Sequence, residues 1–107
     1  MVFIETSAFS RIIRGLLSDD EYRQLQIALL EHPALGDLIR GGAGLRKLRW
    51  ARKGTGKSGG IGTIYYWAMA QDRILMVYAY PKNEMADLSS RQLAELAKVA
   101  KKEFDNG

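Results

Sequence analysis

Two apolar runs, Ile61 to Met69 and Arg73 to Tyr80, constrain the fold more than any other feature of the chain. Ile64-Tyr65-Tyr66-Trp67 and the stretch from Ile74 to Tyr80 concentrate β-branched and aromatic residues, and Ala70-Gln71-Asp72 between them supplies a turn. The pair predicts two antiparallel strands. Pro81 lacks the N–H that an interior ladder needs, so the second strand is expected to stop before it. The near-continuous apolar character of that strand suits a central position with one face under helices.

A third strand is predicted just upstream, from Leu45 to Ala51, after the flexible lead Gly41-Gly42-Ala43-Gly44. Alternation puts Arg46, Leu48 and Trp50 on one face and Leu45, Lys47, Arg49 and Ala51 on the other. Neither face is cleanly apolar, which is unusual for a half-buried strand. Lys47 and Arg49, two residues apart, project from one surface with tips that can converge on a single phosphodiester.

The rest of the chain supplies a first strand and the helices. Val2-Phe3-Ile4 is β-prone and leads into a helix that Ser7 can cap. Phe9, Ile12, Ile13, Leu16 and Leu17 form one apolar stripe along it. Ser18 and Glu21 have the spacing of a capping box for a second helix, which ends near Pro33. Pro33 to Ile39 is a compact connector. Ser89 with Gln92 opens a last helix, with Leu93, Leu96, Ala97 and Ala100 along one side. At 107 residues, the chain is expected to form one domain over residues 1–107. The class is α+β, with a mostly antiparallel four-stranded sheet, two N-terminal helices and a C-terminal helix.

Charge then narrows the function. Six of the Lys/Arg residues fall between Arg46 and Lys57, and from Leu38 to Gln71 there are seven basic residues and no acidic one. The remaining positions hold nine basic and twelve acidic residues. A concentrated positive field of this kind attracts and orients phosphates. Arg52-Lys53-Gly54-Thr55-Gly56-Lys57-Ser58 invites comparison with a phosphate-binding P-loop. That motif requires a glycine where Ala51 stands and a helix where a strand follows. The glycines instead allow the loop to shape itself around a backbone, with Lys53 and Lys57 as phosphate contacts.

With no cysteine and a single histidine, His32, the chain has no thiolate nucleophile and no cysteine or histidine-cluster metal site. The carboxylates are scattered, which argues against a paired-acid or two-metal hydrolase. No secretion signal or membrane-spanning run is read at the N-terminus or elsewhere, and a cytoplasmic protein without a cofactor is expected. What remains is a site of Lys, Arg and Tyr. Such a site can cleave RNA without metal, because the 2′-hydroxyl attacks its own phosphate once the chain is bent into line and the growing charge is neutralised. DNA has no such nucleophile.

Leu45-Arg46-Lys47-Leu48-Arg49-Trp50-Ala51-Arg52-Lys53-Gly54-Thr55-Gly56-Lys57-Ser58-Gly59-Gly60, followed by Ile64-Tyr65-Tyr66-Trp67 and then Tyr80-Pro81-Lys82-Asn83-Glu84-Met85-Ala86-Asp87-Leu88-Ser89, resembles the HigB-type branch of the RelE/ParE toxin superfamily. The similarity runs from Phe3 to the last helix. It implies a RelE-like fold, a ribosome-dependent mRNA endonuclease acting in the A site, and a HigA-like helix-turn-helix antitoxin. That antitoxin neutralises the toxin and carries the complex to operator DNA. The resemblance maps the paired basic positions of the second family strand onto Lys47 and Arg49, and the basic loop onto Arg52, Lys53 and Lys57. The substrate-holding turn falls on Lys82 and Asn83, with Tyr80 just before it. One position departs from the family pattern: where many relatives carry an arginine before the third strand, this chain has Gly62, followed by Thr63. Arg49, Arg73 or Lys82 is then left to supply that charge. A histidine found after the last strand in some relatives is also missing. Arg46 and Trp50 complete the expected RNA contacts, Trp50 as the aromatic sitting among cations. Two alternatives stay open: a basic RNA- or ribosome-binding protein that blocks translation without cutting, and a ParE-like gyrase inhibitor.

Overall fold

The computed structural model describes residues 1–51, 60–82 and 88–105. Its elements run β1 (Val2–Glu5), α1 (Ser7–Leu16), α2 (Asp19–Glu31), β2 (Asp37–Leu38), β3 (Leu45–Trp50), β4 (Ile61–Ala68), β5 (Arg73–Pro81) and α3 (Ser90–Asp105). The strands form one sheet in the order β1-β5-β4-β3-β2. β3, β4 and β5 make the expected antiparallel meander, whereas β1 runs parallel to β5. The fold is therefore α+β, with a mixed, mostly antiparallel sheet and helices from both ends of the chain. It has five strands rather than the expected four, because Asp37–Leu38 of the connector pairs with Lys47 and Arg46. No helix among the described residues is long and apolar enough to cross a membrane.

Helices cover both faces of the sheet, not one. On one side α1, α2 and their flanking residues bury Phe9, Ile13, Leu17, Leu25 and Leu29 against Leu48, Ile61, Tyr65, Ile74, Met76 and Ala79. On the other, α3 brings Leu93 and Ala100 onto Leu45, Ile64, Leu75, Val77 and Tyr80. β4 and β5 are apolar at nearly every position because both of their faces are interior. β4 alternates between the two cores, Ile61 and Tyr65 on the α1/α2 side and Ile64 on the α3 side, and the register irregularity after Ile64 leaves Val77 of β5 as the extra residue.

Pro81 belongs to β5 and pairs with Ile61 instead of lying beyond the strand. The reason is geometric. Lys82 donates its N–H to the Gly60 carbonyl at 2.9 Å, so the nitrogen of residue 81 faces the β1 side of the strand. β1 pairs only with Arg73 to Met76, so no ladder bond is lost there.

Local capping fixes how the helices leave the sheet. Thr6, not Ser7, caps α1: its hydroxyl accepts from the Phe9 N–H at 3.0 Å and donates to the Val77 carbonyl at 2.8 Å. Thr6 thereby ties the helix start to β5. Ser18 and Glu21 form the reciprocal box at the start of α2, with bonds of 2.9 and 3.1 Å. Ser89 and Gln92 do the same before α3, at 2.8 and 3.1 Å. Ser18→Ala is expected to cost about 1 kcal/mol, read as a lower urea midpoint; an unchanged midpoint contradicts it.

Two phenols are built into this frame. Tyr22 donates to Glu5 Oε2 at 2.6 Å, and Ser10 donates to Glu5 Oε1 at 2.6 Å. Burial, reinforced by the Glu5 carboxylate, raises the Tyr22 phenol far above its ordinary range. Burial also raises Tyr65. Both remain protonated in the fold at a pH where an unfolded chain has lost those protons. The unfolded state then binds fewer protons, and stability falls as pH climbs past about 10. Urea midpoints between about pH 9 and 11 should drop more steeply for the wild type than for Tyr22→Phe. Parallel slopes would sink this account.

Candidate nucleic-acid interface

Along β3, the two-residue period sends Leu45, Lys47 and Arg49 to one face and Arg46, Leu48 and Trp50 to the other. Leu45 enters the α3-side core, whereas Leu48 enters the α1/α2-side core and Trp50 packs against it. Lys47 and Arg49 therefore stand on the α3 side of the sheet, the first half-buried and the second exposed. Across β4, Arg49 pairs with Gly62 and Gly62 with Tyr80. Lys47 pairs with Ile64 and Ile64 with Tyr78. Two parallel rows of side chains thus cross three strands.

Tyr80 and Lys82 complete the face. The Lys47 ammonium lies 6.0 Å from the centroid of the Tyr80 ring, at the outer limit of a cation–π contact. Lys82 is exposed, and its Cδ lies 3.7 Å from where a Cβ on Gly60 would stand, on the same side as Gly62 and Tyr80. Register and contact together bring Lys47, Arg49, Tyr80 and Lys82 to one side and one end of the sheet. Beside them, between the connector and β3, a cleft of about 460 Å³ is bordered by Leu35, Asp37, Leu38, Ile39, Lys47 and Arg49.

Other candidate residues lie elsewhere. Arg46 is on the opposite face, where its guanidinium donates to the Gly36 carbonyl at 2.8 Å and the Ala34 carbonyl at 3.4 Å. It clamps the connector to β3. Arg46→Ala is expected to lower stability by about 1 kcal/mol while changing RNA affinity less than about twofold; a large loss of affinity with intact stability would return Arg46 to the interface. Trp50 packs against the α1/α2-side core and does not share the Lys47 face, so the alternation that brings Lys47 forward turns Trp50 away. Arg73 begins β5 and pairs with Ala68 and Val2. It stands seven residues from Tyr80, roughly 20 Å along an extended strand, and is separated from the cluster by that length. Arg52, Lys53, Lys57 and Asn83 lie outside the described residues.

Two features of the face have no place in the sequence reading. Asp37 on β2 is in register with Lys47 and sets a carboxylate beside the cations. A two-residue strand leaves no periodic trace, so nothing local signals it. The second is the contact between Gly62 and Tyr80. Here a signal did exist: an isolated glycine inside a β-prone run marks close approach of another group.

Chemically, this surface suits a phosphodiester. Arg49 offers a planar fork for two oxygens, while Lys47 and Lys82 offer compact charges on flexible stems. The fold and this face together define a small α+β domain that presents cations at one end of its sheet. The family model described as RelE toxin of the RelE / RelB toxin-antitoxin system matches residues 2–106. The chain belongs to this toxin family, within the RelE/ParE superfamily.

Proposed function

We propose that this chain is a HigB-type toxin of a type II toxin–antitoxin system, a ribosome-dependent endonuclease that cuts translated mRNA in the A site. The observation that supports this reading is the shared face of Lys47, Arg49, Tyr80 and Lys82. On this account a ribose 2′-oxygen attacks the adjacent phosphorus, and the bond from phosphorus to the 5′-oxygen of the next nucleotide breaks. The 2′-hydroxyl gives up its proton and the departing 5′-oxygen takes one. Lys47 and Arg49 neutralise the charge that builds on the non-bridging oxygens. Lys82 holds the neighbouring phosphate, and Arg52, Lys53, Lys57 and Asn83 extend the contact along the message. The reaction proceeds on the chain's own side chains without a cofactor.

A sparse site suffices because the ribosome presents the message already bent. The single domain acts in the cytoplasm, where a HigA-like helix-turn-helix antitoxin neutralises it and brings the complex to operator DNA. Primer extension on message from a reconstituted translation reaction tests the reading. Cuts confined to A-site codons, and little cutting of free RNA, are the expected result. Gly62 gives a specific reason to keep a second reading, binding without cleavage, since no arginine stands there. Blocked translation with intact message would favour that reading. Intact message with impaired DNA supercoiling would point to gyrase.

A further inference from the structure

Gly62 lies in the middle of the cationic face and adds no side chain to it. A Cβ at this position would come 2.4 Å from Cζ, 2.6 Å from Cε2 and 2.6 Å from the hydroxyl of Tyr80. The obstacle is a ring only 5% exposed and seated in the α3-side core, so it has little room to retreat. The hydroxyl end of Tyr80 therefore rests on β4, over the residue that pairs with Arg49. That hydroxyl is buried and has no hydrogen-bond partner among the described residues. Buried hydroxyls nearly always have one, so a group left without an acceptor beside two cations calls for an explanation.

We propose that Gly62 is a positioning residue. Its bare Cα seats the Tyr80 phenol across β4 so that the hydroxyl donates to a non-bridging oxygen of an RNA phosphate held by Lys47 and Arg49. Lys47, whose ammonium sits over the ring, is a long stem that swings toward the arriving phosphate and opens the phenol to it. An arginine at position 62 would need the same space from its first side-chain carbon. The face thus holds a phenol where a longer β4 side chain would otherwise project. This inference rests on the RNA reading above for the identity of its ligand, and adds the residue that builds the seat.

Tyr80→Phe removes the hydroxyl and keeps the ring. It is expected to leave the melting temperature unchanged or higher. Affinity for a short single-stranded oligoribonucleotide, measured by calorimetry, should fall about tenfold or more, and message cleavage at least as much. A residue that only supported the fold would not separate stability from binding in this direction. Gly62→Ala should show the same loss of affinity with a lower melting temperature, and adding Tyr80→Phe to it should cost no further affinity. If Gly62→Ala does not fold, Tyr80→Ala in the same chain should restore folding by vacating the ring's place. Wild-type affinity in Tyr80→Phe overturns the role of the hydroxyl. A folded Gly62→Ala with wild-type affinity, or no rescue by Tyr80→Ala, overturns the seat. Lys47→Ala, run alongside, separates the two claims: lost affinity there with none lost in Tyr80→Phe keeps the RNA reading and discards the phenol. A wild type that binds the oligoribonucleotide but never cuts message sinks the nuclease and leaves the seat to be judged on affinity.

Discussion

Lys47→Ala combined with Arg49→Ala is expected to slow message cleavage about a hundredfold or more, with only a small change in stability. The two side chains rise from one strand, two residues apart, and face the same way. Removing one preorganised donor from a developing oxyanion costs about 100- to 1,000-fold in well-studied enzymes. On the proposed reading both cations act on one phosphate, and the pair should then lose less than the product of the single losses. Arg49 is exposed and Lys47 half-buried, so the cost to folding is expected to stay small, about 1 kcal/mol or less for the pair. Initial rates from the reconstituted translation assay, set beside urea midpoints, measure both quantities. Cleavage within threefold of wild type would remove the cationic strand from the chemistry.

The largest effect on stability from a single-atom change is expected at Tyr65. Its hydroxyl accepts from the Gly36 N–H at 2.8 Å and donates to the Pro33 carbonyl at 2.7 Å. The residue is fully buried, and Gly36 is buried with it. Tyr65→Phe keeps the ring but strands a buried donor and leaves a carbonyl short of its partner. With each unsatisfied group costing about 1–3 kcal/mol, the total should reach about 2–4 kcal/mol. Gly36 also admits no side chain, since a Cβ would meet Tyr65 Cε1 at 2.8 Å. Tyr65 and Arg46 together hold the connector that carries β2, and with it Asp37 opposite Lys47. Urea unfolding measures the loss, and a cost below about 1 kcal/mol would show that water replaces the phenol without penalty.

How much of this was legible from residues alone depended on range. Capping at Ser18 and Ser89, the β3-β4-β5 meander and the cationic side of β3 follow from spacings of two to four residues, and all are present. Features that depend on distant partners were hidden. Arg46 sits on a face that alternation could name, but its acceptors on Ala34 and Gly36 arrive through a connector whose path no local pattern fixes. Thr6 outcompetes Ser7 as a cap because it also reaches Val77, 71 residues on. Arg73 and Lys82 stand at opposite ends of a strand already legible in the sequence, but only the register shows that the Lys82 end is the one beside Arg49 and Lys47. The way β5 serves both cores was hidden for the same reason, since the irregularity opposite Ile64 and Tyr65 skips Val77 and sends both Val77 and Tyr78 to the α3 side.

The parallel pairing of β1 with Arg73–Met76 bears on synthesis. Chains emerge from the ribosome N-terminus first, so Val2–Glu5 has no neighbour to zip onto until Arg73–Met76, about 70 residues on, has appeared. Lys82 follows later still. A chain still short of Lys82 therefore lacks the face that Lys47, Arg49, Tyr80 and Lys82 form together.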